Sequence, residues 1–484
     1  MSRTLSLSIC LLLALQAEDP DAQAKALLER AEELGRTAHY EEARAAYKKL
    51  ATKFPDTPAG AVGARRSAPS AFLGWRDVVR HGPSKNRVDV VLMGDGYTLE
   101  HLKAFDKLAD EAPAFFEHQK TFREYWNYFN FLSAELLSAE DGIDGFGRTF
   151  DTALGGRTTG TIAGHVGIDR SRVHAMLSEM PEQDELAVVF VKQGILGTAG
   201  AGVAVIGGMS APTTIHEWGH AFAGLGDEYA TQITNHVAAV TTGINVSATD
   251  DPEKVPWAHW IRAKHPGIGV YEGAAGRVRG AWKPTASGCV MEDGEFFCPV
   301  CQEAIVLRIY SLVDPIEDCT PLAPPPGIRE AMLLQEEPLE FQVRTMRPAT
   351  HAIEVSWWVL PEAQFPATRE PTDVGTGPAT GRVATGTAVA GKEKKKVQPF
   401  GDRRDRGPLP PLPERPTASS RFDADGSHTL RLSPIDMKPG RYAVVCRARD
   451  ATELRDEKWP WVLKDEHGVL ESERVWWVRV PERH

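Results

Sequence analysis

Residues 216–229, HEWGHAFAGLGDEY, contain two histidines, three acidic residues and three glycines within fourteen positions. In an α-helix, which turns 100° per residue, His216 and His220 lie about 40° apart on one face, with Glu217 about 60° further round. The apolar residues of this stretch cluster on the other side and predict a core-facing stripe. We therefore predict a helix over 212–224, begun by Ser210 or Thr213 as N-cap and ended by a glycine.

This pattern predicts a metal site. Neutral imidazoles suit Zn²⁺, and a catalytic zinc site combines three protein ligands with a water molecule. Glu217 would act as the general base toward that water. Gly224 allows the chain to reverse just past the second histidine, so that either Asp227 or Glu228 becomes the third ligand. Asp227 is favoured because a short carboxylate fits a tight return.

Three further motifs occur in order around this segment: NRVDVVLMGDGYT at 86–98, DTALGGR at 151–157 and CVMEDGEFFCPVCQEAI at 289–305. Together they resemble the immunoglobulin-A-peptidase family of secreted bacterial zinc metallopeptidases over roughly residues 85–325. The resemblance implies a metzincin-like zinc endopeptidase, although the glycine and the third ligand come one residue later than in metzincins. Its register also favours Asp227.

The same resemblance implies a methionine turn beneath the metal, and Met291 is the candidate for its apolar floor. Tyr229 either supports a developing oxyanion or simply packs. Asp95, in the Gly-Asp-Gly turn, either serves the turn itself or contributes to the cleft. The segment 203–206, just upstream of the helix, is predicted as an exposed edge strand to which substrate backbone can add.

The remaining chain predicts additional modules. An apolar run behind one arginine at the N-terminus indicates a signal peptide and hence export. One tetratricopeptide-like helical hairpin follows, with a possible partner for its apolar face. Alternating strands in the last third predict an immunoglobulin-like β-sandwich, interrupted by a mobile insertion rich in Pro, Gly and charge. The predicted boundaries are 1–17 (signal peptide), 21–60 (hairpin), 85–325 (peptidase), 335–484 (sandwich) and about 361–420 (insertion).

The charge of the chain argues against nucleic-acid binding, since its net charge is −11 and its pI about 5.8. No later segment has the apolar length of a transmembrane anchor. In an exported protein the three close cysteines favour a disulfide, Cys289–Cys298 or Cys289–Cys301, with Cys319 and Cys446 elsewhere. A structural zinc site is disfavoured, because no fourth Cys or His lies nearby.

The sequence as a whole predicts an α+β fold: a metzincin-like zinc peptidase domain with an N-terminal helical hairpin and a C-terminal immunoglobulin-like β-sandwich. The predicted function is a secreted, periplasmic or extracellular zinc endopeptidase acting on protein or peptide substrates. Two alternatives stay open: a non-proteolytic surface or scaffold protein, and a zinc amidase acting on cell-wall peptide or N-acyl groups.

Overall fold

The computed structural model describes a large part of the chain, namely residues 19–145, 147–159, 164–180, 183–231, 240, 242–365, 402–418, 421–422 and 426–482. The predicted signal peptide therefore lies outside the described residues. So do residues 366–401 and 419–420 of the predicted insertion.

Helices and strands alternate along the first half of the chain, and strands dominate the last third. The helices are α1 Pro20–Arg36, α2 Tyr40–Lys53, α3 Pro58–Arg66, α4 Leu102–Glu111, α5 Pro113–His118, α6 Lys120–Glu124, α7 Arg170–Ser178, α8 Ala211–Ala223, α9 Ala258–Arg262 and α10 Pro299–Leu312. The strands are β1 Ala71–Val79, β2 Val88–Asp95, β3 Phe129–Leu137, β4 Arg157–Thr158, β5 Val166–Gly167, β6 Leu186–Val191, β7 Thr198–Gly200, β8 Val203–Gly207, β9 Tyr271–Ala274, β10 Arg277–Lys283, β11 Ile316–Thr320, β12 Ala331–Leu333, β13 Leu339–Thr345, β14 Glu354–Pro361, β15 Arg421–Phe422, β16 Ser427–Leu432, β17 Gly440–Arg449 and β18 Glu471–Val480. This mixture is the α+β fold expected from the sequence.

The first compact unit comprises the described residues up to Arg80, together with Asp89–Phe116 and Asn130–Gly224. Its sheet has six strands in the order β1-β3-β2-β6-β8-β7. β2, β6 and β8 run parallel, whereas β7 pairs antiparallel with β8 at one edge. Every residue of β2 and β6 is buried. Burial on both faces explains why these strands read as continuous apolar runs.

The sheet corrects one prediction. The segment 203–206 was expected to be an exposed edge strand, but all five residues of β8 are buried. β8 lies between β6 and β7, so the edge belongs to the short strand β7. Three residues that end in glycine carry too little β-propensity to reveal such a strand from sequence.

The N-terminal helices pack within the first unit. α1, α2 and the beginning of α3 cover the range predicted as a helical hairpin. The Tyr47 hydroxyl in α2 donates a hydrogen bond to the Leu73 carbonyl in β1 at 2.9 Å. Arg66 in α3 lies against the same tyrosine, its guanidinium 3.1 Å from the hydroxyl. The hairpin is thus attached to the sheet of its own unit through Tyr47.

The second compact unit comprises His81–Val88, Glu117–Phe129 and the described residues from Leu225 onward. It contains two four-stranded sheets, ordered β11-β13-β16-β15 and β12-β18-β17-β14. The sheets meet where Phe341 of β13 lies 5.3 Å, between ring centroids, from Trp476 of β18. Trp476 also stacks on Trp357 of β14. The alternating segments identified in the last third of the sequence correspond to β13, β14, β16, β17 and β18.

Residues 402–418 differ from the expectation of a mobile insertion. The Arg403 guanidinium is buried and donates hydrogen bonds to the carbonyls of Tyr310, Val313 and Val469 at 2.7–2.9 Å. Three buried carbonyl acceptors offset the desolvation of this one cation. Leu412 also packs against the core of one sheet, and the Trp358 indole N–H donates to the Pro413 carbonyl. A composition-based prediction missed the segment because these contacts are made with residues distant in sequence.

Candidate metal centre

Helix α8 begins and ends as its sequence predicts. The Ser210 hydroxyl accepts a hydrogen bond from the backbone N–H of Thr213, which makes Ser210 the N-cap. Gly224 ends the helix in the left-handed conformation, with φ of 66°. On the core side Trp218 is fully buried, stacks on Phe222 and meets Phe116 edge-on. These aromatic contacts fix the rotation of the helix about its axis.

The opposite side of α8 presents the two histidines. Their rings are partly exposed, and their Nε2 atoms lie 3.2 Å apart. Asp227 follows on the same continuous stretch of chain, three residues past Gly224. One ligand atom from each of His216, His220 and Asp227 lies within 4.8 Å of the others. The structure therefore brings the two histidines and the favoured carboxylate to one point.

The spacing of these atoms fits a zinc ion. Two nitrogen ligands about 2.0–2.1 Å from a tetrahedral ion lie about 3.3 Å apart. The Nε2 atoms of His216 and His220 are 3.2 Å apart, near this value. Two imidazole nitrogens and one carboxylate oxygen also form the donor set of known catalytic zinc sites, which leave a fourth position for water.

Glu217 lies between the two histidines in sequence and is buried. A methyl group added at Gly197 would come within 2.4 Å of its Cγ and 2.7 Å of its Oε1. Gly197, immediately before the edge strand β7, therefore provides the space that the Glu217 side chain occupies. Nothing in the local sequence around Gly197 indicates this role, because Glu217 lies twenty residues further along the chain.

The segment after Gly224 is held by backbone hydrogen bonds. The Asp227 carbonyl accepts from Ala275 at 2.9 Å, and the Tyr229 carbonyl accepts from Gly276 at 3.1 Å. Between them, the Glu228 N–H donates to the carbonyl of Met291 at 2.7 Å. Met291 itself is completely buried. The residue proposed for the methionine turn is thus bonded directly to the segment that carries Asp227, while Tyr229 is partly exposed.

Glu228, the alternative third ligand, lies in a different cluster. One of its carboxylate oxygens and the sulfurs of Cys289, Cys298 and Cys301 all lie within 4.8 Å of one another, and all four residues are buried. Burial raises the pKa of Glu228 to about 8. We call these four residues the thiol cluster.

The thiol cluster corrects the predicted disulfide. The cysteines 289, 298, 301, 319 and 446 are all free. The sulfurs of Cys289 and Cys301 lie 3.8 Å apart, whereas a disulfide bond measures about 2.05 Å. Close spacing in the sequence signalled that these cysteines meet. It did not show that a carboxylate some sixty residues upstream meets them too.

Asp95 has a structural role. Its carboxylate is fully buried and accepts hydrogen bonds from the backbone N–H groups of Leu154 and Gly156, both at 2.7 Å. The Thr152 hydroxyl donates to it at 3.0 Å. Although these bonds lower the pKa of Asp95, burial outweighs them and raises it. The aspartate of the first motif therefore holds the loop of the DTALGGR motif.

With the geometry described, the comparison with known families is informative. Residues 77–267 match the family IgA Peptidase M64. The resemblance drawn from the motifs is thereby confirmed, and it supports a peptidase, hence a hydrolase with protein or peptide substrates and a metal cofactor. The match to the M64 family includes α8, Asp227 and Glu228 but ends before Met291 and the three cysteines. No match was found among curated proteins.

Among the described residues, no helix is both long enough and apolar enough to cross a bilayer.

Proposed function

We propose that the chain is a zinc-dependent endopeptidase in which His216, His220 and Asp227 hold the ion and Glu217 is the general base. One observation carries this proposal: two imidazole nitrogens of α8 and the carboxylate of Asp227 converge at one point. Glu217 lies on the same helix, next to His216 in sequence. The peptidase-family match agrees with it. Asp227 is preferred to Glu228 as third ligand because the Glu228 carboxylate lies among the thiols.

The residues divide the chemistry between them. His216, His220 and Asp227 would hold a zinc ion, which would supply Lewis acidity for a scissile carbonyl and would lower the pKa of a water molecule to about 7. Glu217 accepts the proton from that water and delivers it to the leaving amine. Tyr229, two residues past Asp227, is proposed to support the oxyanion, and the backbone bond from Gly276 holds this part of the chain. Met291 provides an apolar floor near the ligand-bearing segment.

The substrate backbone has a place in this scheme. β7 forms the edge of the six-stranded sheet, and a methyl group added at Gly197, just before it, would come within 2.4 Å of Glu217 Cγ. An extended peptide paired with β7 would pass close to the general base. Recognition through main-chain hydrogen bonds gives weak side-chain selectivity, which is typical of strand addition. This role replaces the one expected for 203–206.

The finer features of the sequence prediction belong to the same proposal. The apolar run near the N-terminus supports export of the protein, with cleavage near residue 17. The ligand set after Gly224 supports a metzincin-like peptidase domain. The two facing four-stranded sheets support an immunoglobulin-like sandwich that positions substrate or braces the catalytic domain.

The test compares casein cleavage by the wild-type protein and Glu217→Ala. Loss of the general base is expected to lower kcat/KM by about 10²–10⁴-fold while metal content stays unchanged. Glu111→Ala, an exposed glutamate of α4, is the matched control and should retain full activity. Zinc that is lost in His216→Ala/His220→Ala, combined with no proteolysis by the wild type, would favour an amidase. Absence of zinc from the purified protein would refute the enzyme proposal.

A further inference from the structure

The thiol cluster is a second convergence of metal-type ligands, separate from the histidine set. Glu228, Cys289, Cys298 and Cys301 come from three places in the chain, yet one donor atom of each lies within 4.8 Å of the other three. Cys301 Sγ is 3.2 Å and Cys298 Sγ 3.9 Å from the Glu228 Oε1 atom. Four donors around one point match the coordination number of structural zinc sites.

The spacing of the sulfurs favours a metal over a disulfide. Two thiolates about 2.3 Å from a tetrahedral zinc ion lie about 3.8 Å apart. The sulfurs of Cys289 and Cys301 are separated by 3.8 Å. A thiolate at 2.3 Å and a carboxylate oxygen at 2.0 Å would lie about 3.5 Å apart, between the two measured sulfur–oxygen distances.

Burial raises the pKa of Glu228 and of the Cys298 and Cys301 thiols, but nearby groups offset part of this cost and fix the carboxylate. Cys298 is the N-cap of α10 and Cys301 lies in its first turn, so the positive end of the helix dipole faces the thiols. The Cys298 N–H points at the sulfur of Cys289 at 3.4 Å. Asn245 donates to Glu228 Oε1 at 2.8 Å, and the Thr285 hydroxyl lies 3.3 Å from Oε2. Hydrogen bonds of this kind orient the ligands of metal sites.

We propose that Glu228, Cys289, Cys298 and Cys301 bind a second, structural Zn²⁺ ion. Three soft thiolates select zinc over magnesium or calcium. The site is structural because protein donors fill all four positions and every ligand is buried, so that neither water nor substrate gains access. Three of the four ligands lie beyond the region matched by the peptidase family.

The position of this ion gives it a definite task. The Glu228 backbone bonds to Met291, and Met291 follows Cys289 by two residues. A zinc ion joining Glu228 to Cys289 would therefore fasten the methionine turn to the segment that carries Asp227. This inference concerns ligands that the proposed catalysis does not use, and it stands even if the chain proves not to be a peptidase.

The experiment counts zinc per chain in the purified full-length protein. Wild type is expected to hold two equivalents, and His216→Ala/His220→Ala is expected to retain one. X-ray absorption at the zinc edge of this double variant should show sulfur ligation. Adding Cys298→Ala/Cys301→Ala should remove the remaining equivalent. Cys446→Ala, at a buried cysteine of β17 outside the cluster, is the matched control and should keep both ions.

The decisive outcomes do not depend on activity. A His216→Ala/His220→Ala protein without zinc, or with zinc bound only by nitrogen and oxygen, would overturn the proposal. So would a disulfide between any two of the three cysteines in unreduced protein analysed by mass spectrometry. If the cysteine variants fail to fold, the absorption spectrum of the histidine variant still decides, because its thiols are intact. Failure of Glu217→Ala to lower proteolysis would refute the catalytic role without affecting these measurements.

Discussion

His216, His220 and Asp227 form what we call the histidine set. This set and the thiol cluster each contain one of two carboxylates that are adjacent in sequence, but the two groups differ in exposure and in donor type. His216, His220 and Asp227 are all partly exposed, whereas every member of the thiol cluster is buried. The first set offers three donors and leaves room for a water molecule. The second offers four donors and leaves no open position. In zinc proteins this difference separates catalytic from structural sites.

The comparison shows how a short segment serves two sites at once. Asp227 and Glu228 are neighbours whose carboxylates reach different ligand sets. Consecutive side chains of an extended chain point to opposite sides, which makes this arrangement natural. The carbonyls of Asp227 and Tyr229 and the N–H of Glu228 are each bonded to other backbone groups. These bonds prevent the segment from rotating and exchanging its two carboxylates.

The largest effect is expected when one of the two adjacent carboxylates is removed and the other is kept. Asp227→Ala removes a proposed metal ligand of the histidine set. Activity should therefore fall by more than the ~10–100-fold that is typical when a residue that only hydrogen-bonds to a metal ligand is lost. Zinc content should drop by one equivalent, with the sulfur-bound ion retained. Metal analysis and casein cleavage measure both effects.

Glu228→Gln is the matched partner of Asp227→Ala. It should lower the affinity of the thiol cluster for zinc and the melting temperature more than it lowers kcat. The two carboxylates would have the same role, and the comparison would fail, if both variants lost the same ion.

A smaller effect is expected from a substitution at Gly197, which provides the space for the Glu217 side chain. A methyl group in Gly197→Ala would collide with Glu217 at 2.4 Å and displace its carboxylate. A displacement of about 1 Å can cost about 10²-fold in rate, so kcat should fall by up to that factor while both ions remain bound. Steady-state kinetics and zinc analysis provide the measurement.

Gly167→Ala is the control for Gly197→Ala. The nearest neighbour of its added methyl is a Thr159 methyl at 3.3 Å. Activity close to wild type in Gly197→Ala would show that Glu217 does not need this space and would weaken its assignment as base.

The smallest expected effect concerns a partly buried histidine that is unsuited to bind metal. The ring nitrogens of His351 lie 2.8 Å from Glu124 and 2.6 Å from Asp450, so the protonated ring donates to both carboxylates. Burial lowers the pKa of His351, but these two hydrogen bonds outweigh it and raise the pKa to about 9. A ring with both nitrogens protonated has no lone pair for an ion.

The pH dependence of stability tests whether His351 is paired with the two carboxylates rather than bound to a metal. The folded pKa of His351 exceeds its usual value of 6.5, so its contribution is complete below pH 6.5 and is lost as the pH rises to about 9. The slope is at most ~1.4 kcal/mol per pH unit. His351→Gln should remove this slope from denaturant unfolding curves, whereas His39→Gln, on the exposed surface, should keep it. A slope that disappears on chelation instead would indicate a metal ligand.

Sequence captured the features whose signal is local. The HExxH spacing, the Ser210 cap and Gly224 together predict α8, and apolar runs predict β2 and β6. The role of Asp227 and that of Met291 stay predictions until metal is measured. Local patterns cannot show contacts between distant segments. The predicted disulfide therefore did not take into account that Glu228 lies among the thiols, where a backbone bond joins it to Met291. Likewise, Arg403 orders its segment through carbonyls far away in sequence.

The adjacency of Asp227 and Glu228 has an evolutionary consequence. Insertion or deletion of a single residue between Gly224 and Asp227 would shift both carboxylates together. A change of chain length at this place would therefore alter both proposed metal sites at once. Descendants of this chain should therefore vary freely in the length of outlying loops while preserving this interval. Descendants that lose the three cysteines should no longer need an acidic residue at position 228. They should still keep one at position 227.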